Sequence, residues 1–318
     1  MVPAPIVLGE VFADPGALAA RIGERGPYWN QARYIPAGRA AAATAPPGHP
    51  LARADGSAPP VFREDWAYFG PLVEGVEYLL DHGPFVDAAR ALFGGDVIVP
   101  YVVHVNLTAP GPAIDAGHTD VPVFRGLDRR NAPGWLLLAM VRSGLFGRWS
   151  VATATAVAWL YRGQGGEFTY WPHGPDRPAE CHGDLWNTAI IGDNDRMFHR
   201  VEAVGGPDRR DLRLSSDSQL RRRPDGRFEI VDHGRPVVEM GPAELRISIS
   251  WKAMVFSADD HALYAEGTDD IEVDQVRRIL LEALAEAGSV LDPTTEIGDP
   301  AFVEAVAGRW PRNVPAIA

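Results

Sequence analysis

Residues 246–256 read RISISWKAMVF, and this run predicts a β-strand with one apolar face and one polar face. Successive side chains of a strand point to opposite faces, so the alternation separates two sets of residues. The apolar set is Ile247, Ile249 and Trp251, and the polar set is Arg246, Ser248 and Ser250. We expect the apolar set to pack against other elements and the polar set to line the interior of a barrel.

Short β-rich runs, separated by Gly, Pro and Asp, continue through the middle of the chain. They cover residues 97–107, 154–161, 167–171, 187–191, 198–204, 227–232, 236–240 and 245–256. Many short strands without regular helical crossovers indicate an antiparallel sandwich or barrel. We therefore predict a mainly β fold.

Helical patterns flank these runs. Capping residues and apolar spacing predict helices near 15–25, 71–82 and 84–93, one helix at about 134–146, and another that begins near Val273. Residues 36–61 are rich in Ala, Pro and Gly, which indicates an irregular surface segment. We expect one domain over 1–318: an N-terminal helical region (1–95), a β core (96–257) with a hairpin insertion at about 207–242, and C-terminal helices (258–318).

Composition restricts the class of partner. The net charge is −12 and the pI is near 5.2, so the average field repels phosphate backbones and anionic membranes. There is no long apolar run and no export signal at the start of the chain, and the single cysteine, Cys181, cannot form an intramolecular disulfide. We predict a cytoplasmic protein that acts on a small molecule and binds neither nucleic acid nor membrane. No sequence feature indicates its oligomeric state.

A histidine and a carboxylate follow a Gly/Pro-rich turn after the first predicted core strand. His118 and Asp120 are two residues apart, so on an extended chain both side chains lie on one face and can bind one ion. Such a pair alone is more often structural. His199 enters a separate β run and supplies a possible third ligand. Two histidines and one carboxylate are the ligand set of non-haem iron oxygenases, which leaves open positions on the metal; zinc also binds such a set but has no redox chemistry.

Arg246 and Ser248 share the polar face of the last strand. A guanidinium presents a planar fork to a carboxylate, and the hydroxyl two residues on can add a donor, so together they can hold the end of a buried dicarboxylate. An arginine paired with a surface Asp or Glu is the structural alternative, and Arg246 taken alone fits both about equally.

Taken in order, these motifs resemble a known family. His118-Thr119-Asp120, then His199, then Arg246-Ile247-Ser248 resemble the His-X-Asp, distal His and Arg-X-Ser series of the Fe(II)/2-oxoglutarate-dependent oxygenase superfamily. Asn106 is similar to the strand asparagine that contacts 2-oxoglutarate in several branches. The resemblance covers roughly residues 97–256 and implies a double-stranded β-helix, the cupin-like jelly roll.

The resemblance also implies an activity. Fe(II) held by His118, Asp120 and His199 would bind 2-oxoglutarate and O₂, with Arg246, Ser248 and Asn106 on the co-substrate. Hydroxylation, desaturation or cyclisation of a small molecule, as in a biosynthetic pathway, would follow, with succinate and CO₂ as co-products.

Two questions stay open from sequence. Arg246 follows His199 by 47 residues, farther than is usual in the family, whereas Arg209, Arg210 and Arg213 lie at the usual distance. Three functions also compete: the oxygenase, a metal-binding cupin-type isomerase or ligand-binding module without redox chemistry, and an iron oxidase that needs no 2-oxoglutarate.

Overall fold

The structure is a computed structural model that describes residues 2–34 and 57–311, so most of the irregular segment expected at 36–61 lies outside the described residues. The strands are β1 (Ile6–Gly9), β2 (Tyr28–Asn30), β3 (Val61–Tyr68), β4 (Val97–Thr108), β5 (Ala152–Leu160), β6 (Phe168–Trp171), β7 (Glu180–His182), β8 (Trp186–Gly192), β9 (Phe198–Val201), β10 (Gln219–Arg222), β11 (Phe228–Asp232), β12 (Arg235–Met240) and β13 (Arg246–Phe256). The helices are α1 (Pro15–Arg25), α2 (Glu77–Leu80), α3 (Gly83–Phe93), α4 (Gly134–Ser143), α5 (Ala258–Glu266), α6 (Val273–Glu286) and α7 (Pro300–Arg309).

The strands form two antiparallel sheets. Ten strands make the large sheet in the order β1-β8-β5-β13-β4-β3-β2-β10-β11-β12, and β7-β6-β9 make the small one. The predicted strand β13 lies between β4 and β5, with Ser248 opposite Asn106 on one side and Trp159 on the other. Its polar and apolar residues therefore sit in the middle of the large sheet.

The outer face of the large sheet carries the main core. Ile249 and Trp251 of β13 belong to a buried apolar cluster that also contains residues of α1 and α3. The indole of Trp251 packs on Phe85, with ring centroids 5.5 Å apart, and its Nε1 donates to the backbone oxygen of Leu80 at 2.8 Å. Burying each large apolar side chain here stabilises the fold by about 1.5–3 kcal/mol.

The inner face of the large sheet packs against the small sheet. A second cluster joins Trp159 of β5 and Ile190 of β8 to Phe168 and Tyr170 of β6. Two facing sheets with helices outside confirm the predicted fold class, mainly β with a jelly-roll core and flanking helices. The polar face of β13 lies on this interior side, as its alternation predicts.

Helices from two parts of the chain form a further apolar cluster. It combines α4, which lies between β4 and β5, with α6 and α7 from the end of the described chain. Arg125 connects the two parts, because its guanidinium pairs with Asp269 at 2.6 Å. The helix predicted at about 134–146 is α4, although it ends at Ser143.

The N-terminal region differs from the prediction. It is not purely helical, because β1, β2 and β3 lie within 1–95. β1 is an edge strand of the large sheet, next to β8, and β3 and β2 lie between β4 and β10. The helix predicted at 71–82 covers only Glu77–Leu80. The hairpin expected within 207–242 is present as β11 and β12, with a turn at His233 and Gly234, both at positive φ. A third strand, β10, precedes it and pairs with β2, so this insertion extends the large sheet.

None of the helices in the described parts of the chain combines the length and the apolar character needed to cross a membrane.

Candidate metal centre

The three predicted ligands come together between the two sheets. His199 lies on β9, and the backbones of His118 and His199 hydrogen-bond to each other in both directions, at 3.0 and 2.9 Å. The backbone N–H of Asp120 donates to the oxygen of Asn194 at 2.8 Å. These bonds fix the 118–120 segment against β9, and thereby bring residues that are far apart in sequence into one site.

The ligand atoms are close enough to share one ion. One nitrogen of each histidine and one oxygen of Asp120 all lie within 4.8 Å of one another. Nε2 of His199 is 3.8 Å from Oδ1 of Asp120, and the two imidazole centroids are 4.5 Å apart. Two nitrogens and one carboxylate oxygen suit Fe(II), and they leave room for exogenous ligands on the open side.

Both imidazoles are held in the orientation that a metal requires. Nδ1 of His118 lies 2.7 Å from Oδ2 of Asp115, and Nδ1 of His199 lies 3.1 Å from the oxygen of Met197. Nδ1 of each imidazole is thus oriented by an oxygen, and Nε2 is the candidate ligand atom. Burial lowers the pKa of His199 to about 4, so its imidazole is neutral at pH 7 and able to ligate. Sequence reasoning missed Asp115, although an acid three residues before His118 was a usable signal.

A buried lysine balances the charge of the carboxylate ligand. Nζ of Lys252 lies 2.8 Å from Oδ2 of Asp120 and 3.5 Å from Oδ1 of Asp195. Burial opposes ionisation, but Lys252 and the two histidines hold the pKa of Asp120 below its ordinary value. Burial raises the pKa of Asp195 to about 7, while the two carboxylates raise that of Lys252 against its own burial. Because Lys252 contacts Oδ2, Oδ1 of Asp120 is the oxygen directed towards His199.

Arg246 is a second buried cation on the same face of β13. Its side chain is 1% exposed, its Nε donates to the oxygen of Gly166 at 2.7 Å, and its Nη1 donates to Oγ of Ser248 at 3.3 Å. Nη2 is buried and has no hydrogen-bond partner among the described residues, which also supply no ion pair. Burial lowers the pKa of Arg246 to about 10, so the guanidinium stays charged at pH 7. An anionic ligand with a carboxylate fits this group.

The turn at Gly166 explains how the chain passes so close to Arg246. Gly166 has φ +76°, and a Cβ there would lie 2.7 Å from Cδ of Arg246. A side chain at this position would be strained and would also displace the guanidinium. Gly166 thus belongs to the arginine site.

Asn106, the third residue predicted to contact the co-substrate, lies opposite Ser248 in the adjacent strand. Its Nδ2 donates to Oγ of Ser250 at 3.1 Å, and its Oδ1 accepts from Nε of Arg63 at 2.7 Å. Arg63 is on β3, a strand that the sequence did not predict, and together with Asp65 and His104 it extends the polar inner face. Nδ1 of His104 is 2.6 Å from Oδ1 of Asp65.

The alternative arginines lie elsewhere. Arg209, Arg210 and Arg213 are in the irregular chain between β9 and β10, and all three are exposed. The guanidinium of Arg213, with 60% of its side chain exposed, lies 3.8 Å from a carboxylate oxygen of Asp211.

Comparison with known proteins gives structural matches only. No family model matches the chain, and neither does any curated protein sequence. Among solved structures, the chain is similar to a prolyl-4-hydroxylase from Pseudomonas putida, at 12% identity and a TM-score of 0.40, over 80% of this chain and 94% of that one. It is also similar to the non-heme alpha ketoglutarate dependent carbocyclase SnoK from nogalamycin biosynthesis, at 12% identity and a TM-score of 0.42, over 85% and 89% of the two chains. A third match is a 2OG-Fe(II) oxygenase family oxidoreductase from Burkholderia pseudomallei, at 11% identity and a TM-score of 0.35, over 62% and 68%.

Proposed function

We propose that this protein is an Fe(II)- and 2-oxoglutarate-dependent oxygenase acting on a small molecule. The observation that carries the proposal is a two-histidine, one-carboxylate cluster in the same interior as Arg246, a buried arginine that has no ion pair within the described chain. A metal site alone also fits a hydrolase or an isomerase. The additional guanidinium, which forms no ion pair with a described residue, is what a dicarboxylate co-substrate needs.

In this proposal Arg246 and Ser248 hold the distal carboxylate of 2-oxoglutarate. The orphan Nη2 of Arg246 and its Nη1 form a fork that can donate two charge-assisted hydrogen bonds. The bound carboxylate would form an ion pair with a guanidinium that has none among the described residues. Asn106, fixed between Arg63 and Ser250, would orient the co-substrate from the side of β4.

His118, Asp120 and His199 would hold the iron. Iron supplies the redox chemistry: one O₂ and one 2-oxoglutarate give succinate and CO₂, and the second oxygen atom oxidises a C–H bond of the substrate. The protein provides position and excludes water. Asp115 and Met197 orient the imidazoles, while Lys252 directs one oxygen of Asp120 to the ion. Because Asp120 occupies the third ligand position, hydroxylation, desaturation or cyclisation is favoured over halogenation.

The substrate would bind against the polar wall of β3 and β4. Arg63, Asp65 and His104 project from neighbouring strands on the interior face, beyond the co-substrate residues. Burial lowers the pKa of His104 to about 4, which leaves a neutral imidazole as a hydrogen-bonding group at pH 7. A small molecule with polar groups fits this wall, and a chain with a net charge of −12 is a poor match for nucleic acid.

Turnover in the absence of the true substrate tests the proposal. Purified protein with Fe(II), 2-oxoglutarate and ascorbate should consume O₂ slowly and release succinate and CO₂, with ascorbate supplying the two electrons that reduce the second oxygen atom to water. Chelation should stop the reaction, and Fe(II) but not Zn(II) should restore it. Zn(II)-supported activity would favour the non-redox cupin-type function, whereas O₂ consumption without 2-oxoglutarate would favour the iron oxidase. The single-domain organisation and cytoplasmic location expected from the sequence stay predictions.

A further inference from the structure

Arg63 is an interior arginine whose hydrogen bonds to the described residues go to neutral groups alone. It lies on β3 opposite Asn106 of β4, and its Nε donates to Oδ1 of Asn106 at 2.7 Å. With the amide of Gln31 oriented by hydrogen bonding, its oxygen accepts from Nη1 and Nη2 at 3.0 and 2.8 Å. These bonds use three of the five N–H groups of the guanidinium. One N–H of each Nη is therefore left for a ligand.

Asp65, the carboxylate that acts most strongly on the charge of Arg63, already has a partner of its own. It lies two residues further along β3, and its Oδ1 is 2.6 Å from Nδ1 of His104. Burial opposes ionisation of Asp65, but the contact with His104 and the charges of Arg63 and Arg129 keep its pKa below the ordinary value. Asp65 is therefore ionised at pH 7 and gives this wall one negative charge.

Arg129 brings a second positive charge to the same wall. It is exposed and lies in the chain between Asp120 and α4. Burial lowers the pKa of Arg63 to about 10; Asp65 and Asp120 oppose this shift, and the charge of Arg129 adds to it. Arg129 thus lies near Arg63, and the influence of Asp120 places the guanidinium of Arg63 near the candidate metal centre.

The balance of charge on this wall favours a ligand with one negative charge. At pH 7 the two arginines contribute two positive charges, Asp65 contributes one negative charge, and His104 is neutral because burial lowers its pKa to about 4. The wall is therefore positive by one charge, although the net charge of the chain is −12. A carboxylate carries one charge and fits the planar fork of a guanidinium, whereas a phosphate monoester carries about two charges at pH 7.

We propose that the substrate is a small carboxylic acid, bound as its monoanion by Arg63 and Arg129. This inference rests on the proposed function and names its substrate class. The remaining N–H groups on Nη1 and Nη2 of Arg63 would donate to the carboxylate, and Arg129 would pair with it from the segment that follows Asp120. This carboxylate would be separate from that of the co-substrate, because β4 lies between Arg63 on β3 and Ser248 on β13.

Pairs of charged and neutral probes test the inference. Zn(II)-loaded protein is first saturated with 2-oxoglutarate, which occupies the metal and Arg246 and does not react. The linear acids from butanoate to octanoate, and 3-phenylpropanoate, are then titrated beside their primary amides, with binding measured by calorimetry. We expect the acids to bind about tenfold or more tightly than their amides, the usual size for hydrogen bonds to a charged group.

Arginine variants assign this preference to the wall. Arg63→Gln and Arg129→Gln should each reduce the preference for acids, and the double variant should lose it. Arg129→Gln changes an exposed side chain, so it keeps the test decisive if Arg63→Gln disturbs the fold. Two controls should retain the preference: Arg25→Gln removes the cation that pairs with Glu64 on the outer face of the same strand, and Arg235→Gln removes an exposed arginine of β12.

Binding of 2-oxoglutarate to the same samples separates this inference from the proposed function. Wild type that binds 2-oxoglutarate but shows no preference for acids over amides would overturn the inference alone. A preference that survives in the double variant would show that another group holds the carboxylate, and would also overturn it. Tighter binding of hexyl phosphate than of hexanoate would overturn the assignment to a carboxylate. No 2-oxoglutarate binding by wild type would overturn the proposed function and the inference with it.

Discussion

Two buried cations on one face of β13, Arg246 and Lys252, differ in how the protein balances their charge. Lys252 has two carboxylates at 2.8 and 3.5 Å, whereas Arg246 donates only to the neutral oxygens of Gly166 and Ser248. Burying a charge without a counter-charge is unfavourable. The lysine therefore belongs to the permanent charge balance of the candidate metal site, whereas the arginine gains a directly contacting counter-charge only when an anionic ligand is bound.

This difference predicts opposite results for the two positions. Loss of Lys252 should destabilise the fold, because the ionised Asp120 would lose its counter-charge and Asp195 would lose a hydrogen-bond donor. Loss of Arg246 should affect ligand binding and leave stability largely intact. The predictions below begin with the metal ligands, where the effect is largest.

Replacing a metal ligand should abolish function. His118→Ala, Asp120→Ala and His199→Ala should each eliminate bound iron and succinate formation while circular dichroism still reports a folded protein. Asp120→Ala should be the least stable of the three, because it also removes a partner of Lys252. His173→Ala, at an exposed histidine, is the control and should keep its iron. Near wild-type iron content in any ligand variant would show that the ligand set is misassigned.

Lys252→Met should be the most destabilising change on the polar face of β13. Breaking a buried ion pair by removing one partner costs about 3–5 kcal/mol, and here Asp120 and Asp195 are both left without it. Urea unfolding of the metal-free protein measures this free energy. A variant as stable as wild type would mean that Lys252 is not needed to balance the two carboxylates.

Arg246→Ala should weaken 2-oxoglutarate binding by a hundredfold or more, about 3 kcal/mol, because the buried carboxylate loses its counter-charge. Its free energy of unfolding should change less than that of Lys252→Met. Arg213→Ala is the matched control and should change the affinity little, since that side chain is exposed. The reverse pattern, with Arg213 critical and Arg246 silent, would refute the assignment of the co-substrate arginine.

Asp115→Asn should have the smallest effect, on metal affinity alone. Losing the carboxylate that orients His118 should weaken Fe(II) binding about tenfold to a hundredfold, the usual range for residues that orient a metal ligand. Competition with a chelator measures it, and affinity for 2-oxoglutarate at saturating metal should stay unchanged. Equal Fe(II) affinity in wild type and variant would show that the backbone bonds alone fix the imidazole.

The sequence alone predicted the parts of the fold that depend on local alternation. β13 shows this, because Arg246 and Ser248 face the interior while Ile249 and Trp251 face the helices. β3 was missed because it has consecutive charges at its centre. Those charges have partners far away in sequence: Glu64 faces outward and pairs with Arg25 of α1 at 2.7 Å, while its neighbours line the interior.

In the candidate site, too, some features follow from the local sequence and others depend on tertiary contacts. The metal ligands could be found from their spacing and order, and Lys252 continues the alternation that begins at Arg246. Nothing in the local sequence, however, shows that Lys252 contacts Asp120 and Asp195, because both contacts depend on how separate parts of the chain come together. The long gap before Arg246 had no explanation in sequence; in the structure, β10, β11 and β12 lie within residues 219–240 of this gap and extend the large sheet through β2.

Anaerobic addition of Fe(II) and then 2-oxoglutarate to the purified protein tests the central claim most directly. A 2-oxo acid that chelates iron in such a site gives a weak visible charge-transfer band, so we predict that the band appears with wild type. It should be absent in His199→Ala and need a hundredfold more 2-oxoglutarate in Arg246→Ala. No band in wild type at saturating iron and 2-oxoglutarate would contradict the account.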